Sequence, residues 1–358
     1  MSMINFTLKT VKKILSVVIS AALGAGLLSA SYPLTVGALT YDVLTYKLID
    51  EDNNGTDDYV EITHCDVSAV NVKIPEKIGG IPTRKIGKEA FVNCTGLKSV
   101  SIPESVTEIG IAAFARCSGL ESLNVPSRVK SISSYTFREC KGLKSVKLPD
   151  GITSIGEGAF KECESLESVS VPESVNSIGS YAFYKCLSLK SVNIPEGVTN
   201  IGEQTFLSCL SLNRLFIPHS VTNIDKNAIN NCTELKSIVI SNPECKIYRH
   251  PTTINTGYVG AIFKFDGYFC VHEGSTAQEY AEYCDYTYLF IGDANADGKL
   301  SALDASIIFS EYKKLYDGEL GSFDQIQKDR SDISGDGKIT AIDASKVFSM
   351  YKESYRKG

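Results

Sequence analysis

Apolar and polar positions recur along this chain with a step of 23 residues through its middle half. Pro103, Pro126, Pro149, Pro172, Pro195 and Pro218 share the step, and Pro75 opens the series after a first unit five residues longer. Cys94, Cys117, Cys140, Cys163, Cys186, Cys209 and Cys232 keep the same spacing. One unit reads Ile-Pro-Glu-Ser-Val-x-x-Ile-Gly-x-x-Ala-Phe-x-x-Cys-x-x-Leu-x-Ser-Val-x. The run Ala159-Phe160-x-x-Cys163-x-x-Leu166 places apolar residues at i, i+3 and i+6, which predicts a short helix or helical turn. The run Leu166-x-x-Val169-x-Val171 ends in alternation and predicts a short strand. A unit of this size cannot bury its own apolar face, so units must stack into a solenoid. The expected core columns are Phe91, Phe114, Phe137, Phe160, Phe183 and Phe206, broken by Ile229, and the leucines from Leu97 to Leu235. The cysteines fit the same core as small apolar fillers.

A period of about 20–29 residues with one strand per unit, and Cys at the Asn/Cys position, is the leucine-rich-repeat signature. The detailed Ile-Pro, Ala-Phe and Cys pattern resembles the BspA-type repeats of bacterial surface proteins, over about Ile74 to Ile240. Tyr41 to Lys73 is expected to form an entry cap, with Tyr59-Val-Glu-Ile62 as a strand and Asp50-Glu-Asp-Asn-Asn-Gly55 as a polar turn. Gly274 to Tyr283 reads as a Ser-capped helix followed by a strand from Tyr286 to Ile291, which would close the solenoid. Charges alternate from coil to coil at Lys98, Glu121, Lys144, Glu167 and Lys190, which predicts ion pairs between neighbouring strands. The strand position held by Ser101, Asn124, Lys147, Ser170 and Asn193 turns apolar at Phe216 and Val239, and Arg214 replaces a repeated serine. This departure marks either a contact patch or packing against the C-terminal cap.

The chain closes with two near-copies of one segment, 39 residues apart. The first runs from Asp293 through Asn295, Asp297, Gly298 and Lys299 to Asp304, and continues as an amphipathic run to Lys313. The second runs from Asp332 through Ser334, Asp336, Gly337 and Lys338 to Asp343, and continues to Lys352. Oxygen side chains fall at loop positions 1, 3, 5 and 12 and glycine at position 6, the spacing that wraps a short loop around a hard cation. Both loops have Asp at position 12 where an EF-hand has Glu, and no helical pattern precedes the first. A tandem pair of loop-helix halves with these features resembles the type I dockerin, from Gly292 to about Tyr355.

The resemblance implies two calcium ions. It implies side-chain ligands Asp293, Asn295, Asp297 and Asp304 in one loop, and Asp332, Ser334, Asp336 and Asp343 in the other. Lys299 and Lys338 are expected to offer backbone carbonyls. Ser334 is short and neutral, so weaker binding is expected in the second loop. The partner implied is a cohesin module of a scaffold protein. It would be met through Ala302, Leu303, Phe309 and Ser310 in the first half, or Ala341, Ile342, Phe348 and Ser349 in the second. The near identity of the two sets implies two binding orientations. Packing between the two helices is the alternative role for Phe309 and Phe348. The fold expected is thus a leucine-rich-repeat solenoid of mixed α and β elements with 23-residue repeats. A small all-α dockerin with two EF-hand-like halves follows it.

Composition changes this picture little. The net charge of −6 is mild and there is no basic patch for nucleic acid. Lys9, Lys12 and Lys13 precede the apolar run Ile14 to Leu28, which reads as a secretory signal cleaved after Ala30 or Ala38, with 1–38 removed. The run is short for a membrane span, and no later segment is apolar enough to be one. The expected domains are then 39–290 and 291–358. Eleven cysteines in an exported chain would suggest disulfides, but seven of them are one repeat position. Cys65, Cys245, Cys270 and Cys284 lie outside that column. His64, His219, His250 and His272 have no metal-ligand spacing, and there is no Gly-x-Ser-x-Gly, HExxH or phosphate loop. The reading is a non-catalytic extracellular component, attached to a cellulosome, whose repeats present a surface to a protein or carbohydrate ligand. An adhesin for plant-wall or host material, and an enzyme or inhibitor with an unfamiliar site, are the alternatives.

Overall fold

The computed structural model describes residues 39–255, 265, 267–335 and 337–357. The expected leader and Asp336 lie outside the described residues.

Each regular coil contributes two short strands. The first ladder is parallel and in register, with Ser122, Ser145, Ser168 and Ser191 side by side. The same edge carries Arg214–Ile217, Ser237–Ile240, Tyr268–Val271 and Thr287–Phe290, again all parallel. The second ladder is made of two-residue strands such as Ser131–Ile132, Ser154–Ile155 and Ser177–Ile178. Sequence alternation marks only the first ladder, because two residues are too few to alternate. The glycine after the second strand lets coils approach closely: a Cβ on Gly156 would lie 2.6 Å from Ser134 N.

The Ala-Phe-x-x-Cys segment forms consecutive tight turns, the second of the two forms expected. Cys163 N donates to Phe160 O at 3.1 Å and Leu166 N to Cys163 O at 3.1 Å. Left-handed residues interrupt each such segment, for example Tyr181 at φ 61° and Lys185 at φ 54°, so no helix propagates. Backbone bonds run between coils instead, as from Phe160 N to Ala182 O at 2.9 Å.

The core columns are as the period implied. Phe91 to Phe206 are fully buried and stack with ring centroids 4.8–5.8 Å apart. The cysteines do more than fill space. Cys163 Sγ donates to Phe137 O at 3.1 Å and Cys186 Sγ to Phe160 O at 3.2 Å, one coil back. All eleven cysteines are free thiols. Two of the expected charge pairs close: Lys144 meets Glu121 at 2.9 Å and Lys190 meets Glu167 at 2.8 Å. Both lie on the exposed face, where each contributes on the order of a few tenths of a kcal/mol.

At the entry, strands Leu44–Ile49 and Tyr59–Cys65 pair antiparallel, and the latter joins Ile81–Ile86 in parallel. At the exit, helix α1 (Thr276–Tyr283) is capped by Ser275 Oγ, which accepts from Gln278 N at 3.1 Å. Tyr280 and Tyr286 are buried there against Phe269. Only Ile291 and Gly292 separate the last strand from the first loop. Three helices follow: α2 (Ala302–Tyr316), α3 (Gln325–Ser331) and α4 (Ala341–Lys357). Helices α2 and α4 pack through Ala305, Ile308, Ala344 and Val347 in a core of seven buried residues. No described helix is long and apolar enough to cross a membrane.

Candidate functional site

The two loops take up matching conformations. In the first, Asp293 Oδ1 accepts from Asp297 N at 3.1 Å and Oδ2 from Gly298 N at 3.0 Å. Gly298 has φ 79° and Gly337 has φ 80°, the sharp turn for which position 6 needs glycine. In the second loop Asp332 Oδ2 accepts from Gly337 N at 2.9 Å. Each position-12 aspartate is fixed twice. Asp304 accepts from Asn295 N at 3.3 Å and, at its other oxygen, from Ser301 N at 2.8 Å. Asp343 does the same with Ser334 N and Thr340 N, both at 2.8 Å. One carboxylate thus closes the loop and caps the following helix.

These acids are withdrawn from water. Asp293, Asp304, Asp332 and Asp343 are at most 3% exposed. Burial pushes the Asp332 carboxyl above its ordinary value, against hydrogen bonds and Arg214, which lower it. A donor set made only of oxygens, with four buried carboxylates in one small module, fits a hard divalent cation. Asn295, Asp297, Ser334 and the backbone of Lys299 and Lys338 lie in the same two loops.

The eight expected docking positions are all exposed. Leu303 is 57% and Ile342 61% exposed, while Phe309 is 51% and Phe348 40% exposed. Ala302, Ser310, Ala341 and Ser349 are exposed beside them. Packing between the helices is done by Ile308 and Val347 instead, both fully buried. Phe309 and Phe348 therefore belong to the outer face.

The apolar patch on the last coils is covered by the chain itself. Val239 is buried with Cys270 and Ile291, and the half-buried Phe216, Ile333 and Met350 pack against that cluster. Arg214 Nε lies 2.7 Å from the fully buried Asp329, whose other oxygen accepts from Tyr268 Oη at 2.8 Å. The sequence singled out Arg214, Phe216 and Val239 but offered nothing to indicate that the C-terminal loops would meet them. A further group escaped notice: Asp50, Asp52 and Asp58 bring carboxylate oxygens together in the entry-cap turn. Asn54 N and Gly55 N donate to Asp50 there as Asp297 N and Gly298 N do to Asp293. Acidic groups at such a turn are common without a cation, and no ligand is assigned to it.

Stacked coils of this form, closed by a pair of loop-helix halves, define a repeat solenoid carrying a small two-loop helical module. The sequence matches the BspA type leucine rich repeat region over residues 64–186 and 154–250, in six copies, and the type I dockerin domain over 291–349. The chain belongs to the BspA-type leucine-rich-repeat family and carries a C-terminal type I dockerin. Among solved structures it is similar to the leucine rich repeat protein of T. pallidum, with 32% identity over 49% of this chain and 79% of that one, at TM-score 0.46. A leucine-rich repeat protein from Bacteroides ovatus is 25% identical over 67% of this chain and 72% of that one, also at TM-score 0.46. No curated protein matches the chain. Type I dockerins bind calcium and dock onto cohesins, and leucine-rich repeats are protein-interaction modules.

Proposed function

We propose that this chain is a secreted, non-catalytic component that docks onto a cohesin of an extracellular scaffold, within a cellulosome, and holds out its solenoid as a binding face. Residues 39–290 form the display part and 291–358 the docking part. Two calcium ions would be held by Asp293, Asn295, Asp297, Lys299 O and Asp304, and by Asp332, Ser334, Asp336, Lys338 O and Asp343. Bound calcium supplies the positive charge that lets these buried carboxylates converge. The chain's own contribution is geometric: Asp304 and Asp343 tie each loop to the first turn of α2 or α4. That sets the exposed pairs Ala302–Leu303 and Ala341–Ile342 at equivalent places.

The observation that supports this reading most is the exposure of both matching sets while the opposite helix faces are buried. Either half can then face the partner. Charged residues at Ala302 and Leu303 should weaken cohesin binding less than about threefold. The same change at Ala341 and Ile342 should also be mild, and both together should abolish binding. Isothermal calorimetry against a cohesin panel measures this. Loss of binding from one half alone, with calcium uptake intact, would show a single orientation.

A further inference from the structure

The solenoid and the C-terminal module each contain an internal repeat, and both break their repeat at the point where they touch. Six coils carry Ser99, Ser122, Ser145, Ser168, Ser191 and Ser237 where one carries Arg214. Two positions on, the outward residues from Ser101 to Asn193 are exposed and polar, but Phe216 is apolar and half-buried. In the module, position 4 of the first loop is Ala296 and position 4 of the second is Gly335, with φ of 65° and 77°. A Cβ on Gly335 would lie 2.0 Å from the Phe216 ring. The second loop therefore lies with bare backbone against that ring, an approach the first loop's alanine would forbid.

Charge is matched at the same place. Arg214 reaches Asp329 at 2.7 Å and also Asp332 at 3.6 Å, the first residue of the second loop. Tyr268 of the exit cap and Gln325 of α3 each donate to Asp329, at 2.8 and 2.7 Å. The short Arg214–Asp329 pair is neutral as a unit, so Arg214 does not simply replace a cation at Asp332. The first loop has no solenoid arginine; its Asp293 faces Arg330 of the module itself, at 3.8 Å.

We infer that the last regular coils are a built-in seat for the second calcium loop, with Arg214 and Phe216 as positioning residues, so that seating the module and loading that loop favour one another. The seat orders the Asp332 end of the loop before a cation arrives, and a filled loop presents the flat backbone the seat requires. Coupling of this kind is reciprocal. The first loop lies outside the seat and should be indifferent to it. The module is then a fixed pedestal, and both exposed docking sets point away on a rigid body.

The test uses the chain from residue 39 to 358 and calcium alone. The double variant R214S/F216N gives this coil the residues of its neighbours, Ser191 and Asn193, so the solenoid should fold as before; its far-UV melting checks this. Small-angle X-ray scattering in calcium should show the wild type as one compact body and the variant as two loosely joined bodies with a larger radius of gyration. The Gly298 and Gly337 amides report the two loops separately by NMR during a calcium titration. Affinity at Gly337 should fall by about five- to 150-fold, the usual span of such couplings, while Gly298 changes less than about twofold. Removing a cation near Asp332 would by charge alone tighten calcium binding, so a fall reports the lost seat. Gly335→Ala leaves Arg214 in place, copies the first loop's residue and should act in the same direction. Unchanged scattering in both variants would overturn the seat. Opened bodies with unchanged affinity at Gly337 would overturn the coupling.

Discussion

Replacing Phe160 by Ala is the sharpest test of how the solenoid is held together. The ring is fully buried and stacks on Phe137 at 5.4 Å and on Phe183 at 5.5 Å. Truncating a buried Phe costs about 3–5 kcal/mol through lost transfer energy and the cavity left behind. Each stacked pair adds about 0.5–1.5 kcal/mol beyond area burial. Phe206 supplies an internal control. It stacks on one ring only, Phe183 at 5.6 Å, because Ile229 takes the next place in the column. Phe206→Ala should therefore be milder than Phe160→Ala by one pair, about 0.5–1.5 kcal/mol. Urea unfolding followed by far-UV circular dichroism gives both values, and hydrogen exchange shows whether the array opens in parts, as stacked repeats can. Equal losses from the two variants, or a loss below about 2 kcal/mol at Phe160 where about 3–5 is expected, would refute the stacked-column account.

Three other outcomes follow from the same geometry. Burial pushes the Cys163, Cys186 and Cys209 thiols well above their ordinary value and Cys232 up to about 12, so these four should resist thiol reagents at neutral pH in the native protein. After unfolding without reductant, all eleven thiols should titrate, and a lower count would reveal disulfides. Chelator should cost α2 and α4 helix content while the solenoid's melting stays in place; an unchanged helix signal would contradict the calcium reading. Burial raises the Glu311 carboxyl, but Phe323 N, the Ser322 hydroxyl and amide, and Lys314 together hold it below its ordinary value. That stabilisation is complete above the unfolded glutamate pKa and is lost as pH falls through the lower folded value. Glu311→Gln should therefore cost about 1.5–3 kcal/mol at pH 7 and less in acid; an equal cost at both would argue against an ionised Glu311.

Much of the fold could be read in the chain because repetition amplifies weak local signals. A single Ala-Phe-x-x-Cys means little, but the same residues at one step name the buried column from Phe91 to Phe206 without ambiguity. The capped helix after Ser275 and the short passage from Phe290 to Asp293 were legible from cap chemistry and spacing. The second strand of each coil was not, since Ser154–Ile155 is too short to carry a period. Nor was the thiol role. Cys163 looks apolar in a hydropathy pattern, yet its donation to Phe137 O depends on where the preceding coil lies. Helix α3 was also hidden, because Gln325 to Ser331 offers a single large apolar residue, Ile326. In the module, the two loops and the helices after them followed from spacing, whereas the pairing of Asp329 with Arg214 joins residues 115 positions apart.

A protein built from two kinds of repeat carries its own controls, and that is why its exceptions can be interpreted. Arg214 is exceptional only because six other coils show serine at its position, and Phe216 only because five earlier coils are polar there. Gly335 is exceptional only because Ala296 shows that the loop tolerates a side chain. Each departure would mean little alone, since single substitutions accumulate in any array. Their meeting in space is a different matter: the solenoid gains a large ring where the loop gives up a methyl group, and gains a cation where the module buries an acid. Shape and charge are matched across sequence stretches that share no repeat register. Neither module needs these residues for its own fold, because its sister units dispense with them. What they can serve is the junction.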